Sequence, residues 1–225
     1  MQRFWHRGKL LMIDQLIRPH LRAGARLLEI GCGAGNLLLQ AAVAGSYPVA
    51  LDLSMQALTF VQSRLREAQA SPESHSGFTC TQAIGESLPF RENSFDCVLL
   101  SEVVEHLEAP QISVREAMRV LCPGGRLLVT TPNYRSFWPI MEWAVDRTNM
   151  TPKMAGEQHI SRFHPSSLKK MLIESGLRME YAGSIYSLSP FLSLISSERA
   201  NQQLQRELNK RSSWGMILVV VAVKP

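Results

Sequence analysis

Apolar and polar positions along the chain fall into two alternating rhythms. Strand-length runs rich in apolar residues occur at 26–30, 48–52, 78–83, 95–100, 125–131, 178–184 and 215–223. Helical stretches near 34–44, 54–70, 111–121, 137–148 and 166–175 separate the first six of them. Pro165 suits a helix start and Gly176 a helix end. Strands alternating with helices predict an α/β domain on a mostly parallel sheet covered on both faces. Two stretches exceed ordinary connections. Residues 134–158 hold Phe137, Trp138, Trp143 and three methionines. Residues 185–213 join an apolar piece, Ser187–Ile195, to a polar helix through Gln202, Gln203, Arg206 and Lys210. Each is expected to be either an extra helical layer on the sheet or a cover, acting as a substrate lid or a membrane-facing patch.

Length and composition change this picture little. The 225 residues suit one domain, 1–225, and 45% apolar with 19% charged residues is ordinary for a globular chain. The net charge of +5 is mild and no Lys or Arg run appears, so nucleic acid is not an expected partner. An anionic substrate or a membrane surface stays open. The cysteines at 32, 80, 97 and 122 form no C-x-x-C pair, which fits a reduced, cytoplasmic setting. The apolar patch Leu10–Ile13 is broken by Asp14, so no secretory leader is expected. No window holds the ~20 apolar residues of a membrane span.

The most informative stretch is Leu27-Leu-Glu-Ile-Gly-Cys-Gly-Ala-Gly35, followed by helix formers from Asn36. A strand, a tight glycine turn and a helix let backbone approach a nucleotide-like ligand closely. A dinucleotide fingerprint G-x-G-x-x-G would need glycine where Asn36 stands. The second strand ends in Asp52, and 52 − 31 places it 21 residues after the first glycine. A carboxylate there can accept from both hydroxyls of a ribose.

These residues resemble motif I of the class I S-adenosylmethionine-dependent methyltransferases, an acidic residue followed by G-x-G-x-G. Ala83-Ile-Gly-Glu-Ser-Leu-Pro-Phe90, Ser94-Phe-Asp-Cys-Val-Leu-Leu-Ser101 and Leu121-Cys-Pro-Gly-Gly-Arg-Leu-Leu-Val129 are similar to further segments of that family, in the same order. The resemblance implies a doubly wound, Rossmann-like sheet of seven strands, the last antiparallel, closed by the strands at 178–184 and 215–223 and carrying helical lid segments. It implies S-adenosylmethionine as cofactor, held by Glu29, Gly31, Gly33, Gly35, Asp52, Leu53, Gly85, Glu86 and Ser101. Ile84 stands where the family often has an Asp against the adenine amino group, so the backbone around Gly85, or Glu86, must supply that contact. The stretch from Phe4 to Leu11 would be a leading helix over the cofactor.

Candidate chemistry follows the fourth strand, in Ser101-Glu-Val-Val-Glu-His-Leu107. If a helix begins here, Glu102, Glu105 and His106 share one face. With His159 they could hold a divalent cation, and some metal-dependent members of the family carry a similar E-x-x-E-H segment and a distant His. His106 could instead serve as a general base, and one nitrogen cannot fill both roles. The expectation is metal independence, with His106 and His159 catalytic. His164 is expected in a helix-start turn, and Tyr134 and Arg135 either line the acceptor site or form a surface turn. The expected function is methyl transfer to a small, partly apolar acceptor, at oxygen. Trp138, Trp143, Phe191 and Leu192, as a cover, would suit an aromatic or isoprenoid-like substrate. A nicotinamide-dependent oxidoreductase shares the first turn and Asp52, but Asn36 and the Pro123-Gly-Gly turn oppose it. A cofactor-binding protein without turnover is the other alternative, supported by Ile84 alone.

Overall fold

The computed structural model describes residues 2–43, 46–69, 77–147, 158–193 and 195–225. Seven strands form one sheet: β1 (Arg26–Ile30), β2 (Tyr47–Asp52), β3 (Thr79–Gln82), β4 (Phe95–Ser101), β5 (Leu121–Pro132), β6 (Arg178–Ile185) and β7 (Ile217–Val223). Their order is β3-β2-β1-β4-β5-β7-β6. β1 pairs in parallel with both β2 and β4, whereas β7 runs antiparallel between β5 and β6. The expected sheet, with its antiparallel last strand, is therefore present. The order of strand addition reverses between β1 and β4, and such a switch point leaves a crevice at the carboxyl ends of the strands.

The alternation of side chains along each strand divides the core in two. On one face Leu27, Cys97, Leu99, Val219 and Val221 pack beneath α1 (Gln2–Leu16), α2 (Asn36–Val43), α3 (Met55–Gln69) and α8 (Ser197–Lys210). On the other, Leu28, Ile30, Val98, Leu100 and Val220 pack beneath α4 (Pro110–Val120) and α6 (Pro165–Glu174). β7 is buried at every position, as a strand covered on both faces must be. A fully buried Leu such as Leu99 contributes about 1.5–3 kcal/mol.

His164 opens α6 through a reciprocal cap: its Nδ1 accepts from Ser167 N–H at 3.2 Å, and Ser167 Oγ accepts from His164 N–H at 3.0 Å. That is the expected helix-start turn. The two long connections separate in character. α5 (Trp138–Asp146) lies over the carboxyl edge of the sheet, and residues 148–157 of the same stretch lie outside the described residues. In the second connection α8 is a structural layer, with Ala200, Leu204 and Leu208 buried at four-residue spacing. Its Glu207 is also buried. The carboxylate accepts from the backbone N–H groups of Tyr186, Ser187, Leu188 and Ser189, at 2.6, 3.2, 3.0 and 3.0 Å. Four donors at the start of the short helix α7 (Ser189–Leu192) are thereby satisfied by one side chain. No helix among the described residues is long and apolar enough to cross a membrane.

Candidate functional site

At the switch point the chain leaves β1 through three glycines with positive φ, +67° at Gly31, +49° at Gly33 and +68° at Gly35. Side chains are disfavoured there for backbone reasons, and at Gly31 for space as well: a Cβ would lie 2.6 Å from Val103. A Cβ at Gly33 would meet nothing within 4 Å, so this glycine exposes bare backbone to open space. Asp52 clamps the turn from β2. Its Oδ2 accepts from Gly33 N–H and its Oδ1 from Ser54 N–H, both at 2.9 Å. An ionised carboxylate retains acceptor capacity beyond two such bonds.

A cavity of about 620 Å³ opens beside the turn. Glu29, Gly31, Gly33 and Ser101 line it, together with Lys9 and Glu102 on the polar side and Leu37, Trp138, Met141, Val145 and Ile217 on the apolar side. Asp52 adjoins this lining through Gly33. The other predicted cofactor residues lie apart from it. Gly35 packs against Val61, and Gly85 is buried against Ile30 and Ser113. Leu53 is exposed and Glu86 half-buried. Glu29 is buried, and Leu38 N–H donates to its Oε2 at 3.2 Å. Burial pushes its carboxyl up to about 8, against the opposing pull of the Leu38 N–H and Lys9.

Beyond β4 the chain departs from the expected helix. Glu102 takes a positive φ of +55°, and only Val104–His106 coil, as a single 3-10 turn. The three predicted side chains therefore do not share a helix face. Glu102 turns to α1, where Lys9 Nζ lies 2.9 Å from its Oε2. Glu105 turns inward and accepts from Thr131 Oγ1 at 3.0 Å, and burial pushes its carboxyl up to about 8. His106 is exposed.

Residues 158–163 are sewn along this turn. The N–H groups of Ile160 and Ser161 donate to Glu105 O at 2.8 and 2.9 Å, and Ser161 Oγ donates to Leu107 O at 2.8 Å. His106 Nδ1 lies 2.7 Å from Gln158 O. A carbonyl only accepts, so Nδ1 carries a proton, and in the neutral ring the lone pair is then on Nε2. The seam brings His159 to His106, with ring centroids 5.3 Å apart. Ligand atoms of Glu105, His106 and His159 lie within 4.8 Å of one another, so the geometry assembles three of the four candidate metal ligands and leaves out Glu102.

His159 is itself buried, beside the Trp138 ring at 6.0 Å. Its Nδ1 lies 2.6 Å from Glu142 Oε1, which also accepts from Tyr134 Oη at 2.7 Å. Tyr134 thus belongs to the site, and burial followed by its bond to Glu142 pushes its hydroxyl pKa up. Arg135 is exposed. Phe191 and Leu192 do not reach the cavity, and Trp143 is 59% exposed. Lys9 and Glu142 were not signalled in the sequence. Lys9 sits in an unremarkable helix, and Glu142 reads as one acidic residue of an amphipathic one.

Glycine turn, strand-terminal carboxylate, switch-point crevice and sheet order together define one class of protein. The family described as a methyltransferase domain matches residues 28–129, and the fold and site are those of the class I S-adenosylmethionine-dependent methyltransferases. Among curated relatives, it is 30% identical over 159 residues to the ubiquinone/menaquinone biosynthesis C-methyltransferase of Roseobacter denitrificans, covering 66% of this chain and 61% of the relative. It is 29% identical over 168 residues to the ubiquinone biosynthesis O-methyltransferase of Xanthomonas axonopodis pv. citri, covering 73% and 67%. The chain thus spans about six-tenths of the first and two-thirds of the second. In fold it is similar to an S-adenosylmethionine-dependent methyltransferase from Mesorhizobium loti, with a TM-score of 0.65 at 22% identity over 95% of this chain and 98% of that one.

Proposed function

We infer that the chain methylates an oxygen of a small, partly apolar acceptor, with His106 as the general base. The observation that carries this is the bond from His106 Nδ1 to Gln158 O, which leaves Nε2 as a proton acceptor on an exposed ring. S-adenosylmethionine supplies an electrophilic methyl group when bound. The cavity suits it: the volume lies within the ~300–1,000 Å³ of small-molecule sites, and bare backbone at Gly33 stands beside the Asp52 carboxylate. In this reading Asp52 holds the ribose hydroxyls, and Leu53 and Ile84, both exposed, flank the base. Gly85 and Glu86 remain the candidates for the adenine amino group.

On the acceptor side the chain's task is to orient a hydroxyl and take its proton. Holding reactants in line supplies much of the acceleration, and a base adds roughly 10²–10⁴-fold. His159 stands beside His106 and 6.0 Å from the ring of Trp138, which with Met141 and Val145 forms the apolar wall of the cavity. Two kinds of ubiquinone-pathway relative, one acting at carbon and one at oxygen, support an aromatic or isoprenoid-like acceptor. A free base at Nε2 favours oxygen, because a hydroxyl must lose a proton. The same edge of the sheet exposes Phe137, Ile140, Trp143, Leu188, Phe191 and Trp214, which supports contact with a lipid surface or a lipid-like substrate.

A second reading is favoured by one observation, the convergence of Glu105, His106 and His159. These residues would hold a divalent cation, which would polarise the acceptor oxygen. Against it, the fourth candidate, Glu102, is paired with Lys9 and stands outside that cluster. Turnover of a small-molecule extract with labelled methyl donor, with mass identification of the product, tests the inferred function. Label on carbon or nitrogen, or no labelled product, would contradict it.

A further inference from the structure

Glu142 is 3% exposed, yet it sits on α5 between Ile140 and Trp143, which are 62% and 59% exposed. Burying a carboxylate costs several kcal/mol unless donors meet it. Two do, on the same oxygen: Tyr134 Oη at 2.7 Å and His159 Nδ1 at 2.6 Å. Tyr134 Oη donates to the carboxylate and also lies 3.1 Å from His159 Nδ1. With the carboxylate ionised, O–H on Tyr134 and N–H on His159 Nδ1 satisfy all three groups. The opposite tautomer would set two lone pairs against each other across 2.6 Å.

We propose that Glu142 is the positioning residue of the acceptor site, holding His159 with its proton on Nδ1 and its Nε2 lone pair turned toward Glu105 and His106. The proposal rests on His106 and His159 forming the acceptor side, as inferred above. Among the described residues Glu142 meets that side through His159 and Tyr134, and it lines neither the cavity nor the glycine turn. The arrangement also explains why α5 carries a buried acid at all. Trp138 and Met141, from the same helix, wall the cavity, so one contact fixes both the wall and the imidazole. A carboxylate behind an imidazole is a general means of fixing tautomer and ring orientation.

The tautomer can be read directly. In protein labelled with ¹⁵N-histidine, long-range ¹H–¹⁵N correlation distinguishes Nδ1–H from Nε2–H, with His159→Gln assigning the signal. The native protein should show Nδ1–H at His159. Glu142→Gln should retain it, because an amide oxygen still accepts. Glu142→Leu should lose it in favour of Nε2–H or a mixture. Turnover of catechol, as a probe hydroxyl acceptor, should fall roughly 10–10²-fold in Glu142→Leu, with the KM for S-adenosylmethionine unchanged and Glu142→Gln largely rescued. Nε2–H in the native protein, or Nδ1–H persisting in Glu142→Leu, would overturn the proposal. If Glu142→Leu does not fold, the native and Glu142→Gln spectra still decide. A tautomer change with intact turnover in both Glu142→Leu and His159→Gln would instead overturn the catalytic reading of the histidines.

Discussion

Lys9 on α1 and Glu102 after β4 form an ion pair of 2.9 Å that ties the leading helix to the mouth of the cavity. Both side chains are partly exposed, at 28% and 31%, so the pair contributes little to stability, about 0–1 kcal/mol. Its consequence is positional, because it draws Glu102 away from Glu105 and His106. Glu102→Gln should therefore lower the melting temperature slightly and leave turnover within a few-fold of the native value. Inactivation as deep as that of His106→Ala would put Glu102 back among the reacting groups.

Asp52 has two duties that a single variant can separate. Asp52→Asn keeps an oxygen for one of the N–H groups of Gly33 and Ser54 but gives up a charged acceptor for the ribose. Calorimetry with S-adenosylhomocysteine should show affinity reduced by about 1–3 kcal/mol in Asp52→Ala, with a smaller loss in Asp52→Asn. Unchanged affinity in Asp52→Ala would mean that the ribose contact lies elsewhere.

The buried Glu29 predicts how stability depends on pH. Its folded carboxyl titrates at about 8 against an ordinary 4.5, because burial disfavours the charge. Between those values the folded state holds a proton that the unfolded chain has lost. Stability is therefore complete below about 4.5 and declines as pH rises toward 8, by an amount on the order of a few kcal/mol. Urea titrations at stepped pH should show this slope, and Glu29→Gln should reduce it, the remainder coming from Glu105, which burial raises to about 8 as well. A native protein that gains stability across the window would contradict the assignment.

The exposed apolar residues of the carboxyl edge make a further prediction. Trp143, at 59% exposure, stacks with the Arg147 guanidinium, 5.0 Å from its ring centroid, so an aromatic anchor and a cation stand together. Vesicles containing phosphatidylglycerol should co-sediment more of the protein than phosphatidylcholine vesicles, and Trp143→Ser with Phe191→Ser should lower that fraction. Equal sedimentation of native and doubly substituted protein would remove the lipid contact from the account.

Local pattern made much of the fold legible. The apolar run along Phe95–Ser101, the glycines at 31, 33 and 35 and the strand-terminal Asp52 each act within a few residues of where they stand in sequence. His106 and His159 were legible as chemistry, though not as neighbours. The seam between residues 158–163 and the 3-10 turn joins them, and backbone bonds such as Ile160 N–H to Glu105 O leave no mark in residue type. Glu102 does not join them, because the helical spacing that would align it breaks at its own φ of +55°. Lys9 and Glu142 act through tertiary placement alone, one across the cavity mouth and one behind an imidazole. The apolar run near Ser187–Ile195 suggested a cover, and Glu207, which reads as a plain polar-face residue of α8, fixes the start of that turn.

The central claim is that His106 Nε2 takes the acceptor's proton without a metal. The most direct test compares native protein and His106→Ala, each with and without EDTA, on the acceptor identified from extract with labelled methyl donor. EDTA should leave native turnover unchanged, while His106→Ala should lose roughly 10²–10⁴-fold in rate and bind S-adenosylhomocysteine normally. Native activity that vanishes with EDTA and returns with magnesium or zinc, or an undiminished His106→Ala, would contradict the claim.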